Sequence, residues 1–162
     1  MKPIDFETIE KIEKRISEMT VREVPRLIDN MREEQPLVLV YLLSAGGSIL
    51  NRDERELLLY MGIIIWQAMS QGDVSPPKVT EKILDEMERK NIRMLEELEE
   101  TSEREIMDTM EKMIETYSQP TILKYVLETL IEEPGEEDYD IRDENKGLIF
   151  IFLKTVIDSL NK

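Results

Sequence analysis

Gln35-Pro36-Leu37-Val38-Leu39-Val40-Tyr41-Leu42-Leu43 returns 84 residues later as Gln119-Pro120-Thr121-Ile122-Leu123-Lys124-Tyr125-Val126-Leu127. Gln, Pro, Leu, Tyr and Leu recur in register, with Val38/Ile122 and Leu42/Val126 as conservative exchanges. Proline suits the first turn of a helix, where its missing N–H would have had no partner. Each stretch therefore opens a helix at its proline. Downstream, Arg52-Asp53-Glu54 is echoed by Arg142-Asp143-Glu144, now 90 residues apart. The spacing predicts a duplicated helix–loop–helix, residues 35–66 and 119–158, with about six extra loop residues in the second copy.

Working outward, Ile9, Ile12, Ile16 and Met19 recur at helical steps and predict an amphipathic first helix. Thr20-Val21-Arg22-Glu23 has the form of a capping box, expected to open a second helix with the stripe Val24, Leu27, Ile28 and Met31. Residues 37–43 are apolar on nearly every face, which marks the third helix as central. Gly46-Gly47 ends it. Asn51 is a good N-cap for a fourth helix running to about Gln71. Ser75-Pro76-Pro77 is the best linker, so residues 72–78 form a possible sub-boundary.

Beyond it come long, charged helices with thin apolar stripes: Ile83, Met87, Met94, Leu95 and Leu98, then Ile106, Met110, Met113, Ile114 and Tyr117. Leu148 to Leu153, rich in β-branched and aromatic residues, is the one place where a strand competes. The pattern continues to Leu160, and helix is preferred. The expected fold is all-α: a single-domain helical bundle of about eight helices spanning residues 1–162.

Composition excludes several chemistries. None of the 162 residues is Cys or His, so thiolate nucleophiles, zinc–thiolate sites, Ser-His-Asp triads and Glu-x-x-His di-iron sites cannot be built. The net charge of −15 repels phosphate backbones, which argues against nucleic-acid binding and favours basic partners. The N-terminus leads into charged helix without an apolar signal core. The longest apolar stretches fall short of the roughly 18 residues that argue for a membrane span. The expectation is a cytoplasmic chain with no membrane contact and no cofactor.

Three constellations could carry chemistry. Glu96, Glu97 and Glu100 fit the Glu-Glu-x-x-Glu pattern with which all-α nucleotide pyrophosphatases bind magnesium. The partner pattern Glu-x-x-Asp at Glu105 to Asp108 comes too close for an antiparallel return, so a solvated face is preferred. The loop from Glu132 to Asp140 is acidic enough to attract cations but lacks an EF-hand pattern. The Met residues of 80–118 offer a soft, adaptable face of the kind that binds partner helices.

The reading that follows is a non-enzymatic interaction or assembly module. Its acidic, Met-rich helical surface would hold a protein partner or a second copy, with Met94, Met107, Met110 and Met113 as the contacts. The alternative is a metal-dependent hydrolase of a small phosphorylated substrate using Glu96, Glu97 and Glu100.

Overall fold

A computed structural model describes residues 1–132 and 140–162. They form α1 (Phe6–Ser17), α2 (Glu23–Glu34), α3 (Pro36–Ser44), α4 (Arg52–Ser70), α5 (Glu81–Glu99), α6 (Glu103–Thr116), α7 (Pro120–Ile131) and α8 (Asp143–Leu160). No strand occurs among the described residues, and the competing run at 148–153 is helical.

Most boundaries follow local chemistry. Pro36 and Pro120 each stand at the start of their helix. Asn51 and Glu54 close a reciprocal capping box, each side chain accepting the other's backbone N–H at 2.8 Å. Asp5, Thr80 and Ser102 cap α1, α5 and α6 through their side chains. Gly46 and Gly47 have φ of +81° and +48°, the left-handed conformation that turns the chain after α3.

Two local expectations fail. The Thr20–Glu23 box does not form: α2 starts at Glu23 behind an uncapped Arg22. Thr20 instead meets the Glu23 side chain at 3.3 Å. The apolar helix α3 is not central either. Val38, Leu39 and Leu42 face inward, while Val40 is 58% and Leu43 54% exposed.

The centre is α8, buried continuously from Ile149 to Ile157 and packed chiefly against α5 and α4. One hydrophobic cluster draws on residues before and after 72–78, from Ile4 through Trp66 and Val79 to Leu160. Against α4, helix α3 comes so close that a Cβ on Gly62 would lie 2.4 Å from Leu42 Cδ1. Helices α5 and α6 differ in role. Leu84, Met87, Asn91 and Leu98 of α5 are buried, whereas α6 has no fully buried residue.

The two Gln-Pro glutamines make the same pair of bonds, each to a distant extended segment. Gln119 Oε1 accepts from the Ile4 N–H at 2.9 Å, and its Nε2 donates to the Lys2 carbonyl at 3.1 Å. Gln35 Oε1 accepts from the Val79 N–H at 2.9 Å, and its Nε2 donates to the Pro77 carbonyl at 2.9 Å. Each amide thus satisfies one backbone donor and one acceptor that helix formation leaves over. Both glutamines are buried, with Ile4 and Val79 beside them in the core. The clamps cross: the glutamine before α7 holds the segment before α1, and the one before α3 holds the segment before α5.

Truncating one glutamine strands a buried N–H and leaves a part-buried carbonyl to water, at about 1–3 kcal/mol. Gln119→Ala and Gln35→Ala are each expected to lower unfolding free energy by that amount in urea titrations. A loss under half a kcal/mol for either would show that water replaces the amide.

Candidate functional site

Three assemblies of polar or open surface stand out. The first surrounds Glu54, which is fully buried. Arg142 Nη2 donates to its Oε1 at 2.7 Å, and Asn145 Nδ2 lies 3.1 and 3.2 Å from its two oxygens. The Arg142 N–H donates to Oε2 at 3.1 Å. Burial pushes the Glu54 carboxyl upward. The bonds from Arg142, the Asn51 backbone and Asn145 outweigh it and hold the pKa at about 2.

Asn51 and Arg142 hold the N-cap positions of α4 and α8, so Glu54 pairs with Asn145, the residue three past each cap. Glu144, its expected counterpart in the tripeptide, has a 73% exposed side chain.

The second assembly lies between α5, α8 and the end of α6. Lys154 Nζ donates to Asp158 Oδ2 and to Asn91 Oδ1, both at 2.9 Å. Asn91 Nδ2 donates to Thr155 Oγ1 at 3.1 Å and to Asp158 Oδ2 at 3.0 Å. Tyr117 donates its hydroxyl to Asp158, and Lys154 Nζ sits 5.0 Å from the centroid of its ring. Burial and the Asp158 charge raise the Tyr117 pKa and keep it a neutral donor. Every charge here has an opposite partner in direct contact. The network ties α5 to α8 and spends its donors doing so.

The third is a groove of about 770 Å³ between α1, α4 and α7. Phe6, Leu57, Tyr60, Tyr125 and Ile141 give it an apolar and aromatic lining. Glu13, Glu56, Glu128 and Glu132 supply four carboxylates, and no Lys or Arg is among the described lining residues. Burial raises the pKa of Glu13, opposed by a hydrogen bond from Tyr125 and reinforced by Glu10. Tyr125 stays protonated, its pKa raised by burial and by the Glu13 charge. Between α3 and α5 Tyr41 donates to Glu88 Oε2 at 2.6 Å, a tyrosine–glutamate pair of the same kind.

The residues singled out from sequence lie elsewhere. Met107 is 53% exposed, while Met94, Met110 and Met113 are half-buried and pack on the core cluster. Glu96, Glu97 and Glu100 are exposed along the end of α5. No group of three metal-ligating side chains converges among the described residues. Of the acidic loop, residues 133–139 lie outside the described residues. No described helix is long and apolar enough to cross a membrane.

Periodicity did not point to the groove, because its walls come from three helices distant in sequence. The available signal was the chain before each clamp. Lys2-Pro3-Ile4-Asp5 and Pro77-Lys78-Val79-Thr80 both lead into a capped helix, but they share too few residues to be paired by eye.

No family model, no curated protein and no solved structure matches this chain.

The Glu54 node makes stability acid-sensitive. Its folded pKa lies below the unfolded value of 4.5, so its contribution is present above pH 4.5 and is lost as pH falls toward 2. That contribution is at most roughly 3 kcal/mol. Urea titrations at pH 7 and pH 3 are expected to show Glu54→Gln less stable than the parent at pH 7, with the gap narrowing at pH 3. A gap independent of pH would remove the carboxylate from this role.

Proposed function

We propose that this protein is a non-enzymatic, cytoplasmic interaction module that docks a basic segment of a partner protein in the groove between α1, α4 and α7. The observation that carries the reading is the groove's lining, an apolar and aromatic floor with four carboxylates and no Lys or Arg among the described lining residues; Glu56 and Glu128 also make exposed ion pairs with Arg52 and Lys124 just outside it. Apolar burial would supply affinity. The carboxylates, on a chain of net charge −15, would select and steer cationic partners. This moves the contact surface away from the Met residues of α5 and α6, because Met94, Met110 and Met113 already pack on the core.

One observation favours a second reading, self-association. Leu37, Val40 and Leu43 expose an apolar face on α3, and Met107 exposes another side chain on α6. Two copies at −15 each repel one another, so the basic partner is the better fit. The hydrolase reading gains no support from the exposed, non-converging Glu96, Glu97 and Glu100.

We also infer that a four-helix unit is used twice, α1–α4 and α5–α8. The crossed glutamine clamps, the Tyr41–Glu88 and Tyr125–Glu13 pairs, and the Glu54–Asn145 contact between matching helix positions support it.

Calorimetric titration with a Lys/Leu peptide and a Glu/Leu peptide tests the docking site. The Lys/Leu peptide is expected to bind, with affinity falling as salt rises, and the Glu/Leu peptide to give no heat. Glu56 and Glu128 are exposed, so Glu56→Lys/Glu128→Lys is expected to fold and to bind at least about tenfold more weakly. Undiminished binding by that variant would place the interaction outside the groove.

A further inference from the structure

The groove's chemistry selects a basic ligand, and the other half of the chain specifies its shape. Helices α1 and α5 occupy comparable places: Arg15 meets Gln67 near the end of α4, and Asn91 meets Asp158 near the end of α8. They differ in length. α1 has 12 residues and ends at Ser17, whereas α5 has 19 and runs on to Glu99. At 1.5 Å per residue the difference is about 10 Å, or two helical turns.

The last turns of α5 cover the beginning of α8. Leu98 is buried, and Leu95 Cδ1 lies 3.3 Å from where a Cβ on Gly147 would stand. Counted from their caps, Gly147 and Ile151 of α8 match Glu56 and Tyr60 of α4. Ile151 is fully buried, but Tyr60 is 37% exposed and both α4 residues line the groove. The beginning of α4 is therefore the stretch that no helix of its own half covers as α5 covers α8.

We infer that the groove takes a short amphipathic basic helix, about two turns in contact, laid over the beginning of α4 as the end of α5 lies over α8. The inference rests on the docking site proposed above and adds the conformation of its occupant. Apolar residues three or four apart, spaced as Leu95 and Leu98 are, would sit on Leu57 and Tyr60. Lys or Arg on the flanks would face Glu56, Glu128 and Glu132. Residues 133–139 of the chain carry four acids and no base, the wrong charge for this lining.

The experiment uses two labelled 14-residue Lys/Leu peptides of equal charge, one stapled as a helix and one broken by two central prolines. Fluorescence anisotropy measures binding to the full chain, to Tyr60→Ala and to Glu128→Lys, each confirmed folded by circular dichroism. The stapled helix is expected to bind at least about tenfold tighter than the proline peptide, and both variants to weaken it by a similar factor. Equal binding of the two peptides, still lost in Glu128→Lys, would overturn the helical occupant and leave the basic docking site standing. Binding by neither peptide would overturn both.

Discussion

Two buried amides organise this molecule. A primary amide is the one uncharged side chain that can offer a donor and an acceptor side by side. In Gln35 and Gln119 it completes the backbone of an extended segment as a neighbouring strand would. The clamped segments then set where α1 and α5 begin, and with them the packing of both helices on the core. Because the clamps cross between the halves, the bundle is tied at two separate places by the same chemistry. The large apolar interface along α8 works inside limits that these few polar bonds set.

Much of the fold was legible because helix ends are written in local chemistry. Pro36, Pro120, Asn51 and the Gly46-Gly47 turn each do what their side chains or backbones dictate within one turn of helix. What was not legible depended on neighbours. Hydrophobicity alone made α3 central, but a nine-residue helix at the edge can expose Val40 and Leu43, and the longer α8 takes the middle. The buried partner of Glu54 is Asn145, and no pattern of like residues could have named it. The site was the least legible part, since Glu13, Tyr60 and Tyr125 meet only after three helices have docked.

Buried polarity is divided between the two sides of the bundle in different ways. Between α5 and α8 a lysine, an aspartate and an asparagine close on one another, with a tyrosine ring against the ammonium. A buried pair of this kind adds little net stability over an apolar core, but removing one partner is costly, so it penalises misaligned docking of the two helices. Beside α1 the described residues line an acidic groove instead. One bundle thus carries a closed polar contact between α5 and α8 and an acidic groove between α1, α4 and α7.

The crossing of the clamps also governs the order in which the chain can be completed as it is made. The Gln35 tie spans 44 residues and closes once Val79 has emerged, whereas the Gln119 tie spans 115 and joins nearly the first residues to the last third. Until residue 119 is available, Lys2 and Ile4 have no amide to complete their backbone. Closing so distant a pair is slow relative to local helix formation. The segment before α1 therefore stays without its amide partner until the start of α7 has been made.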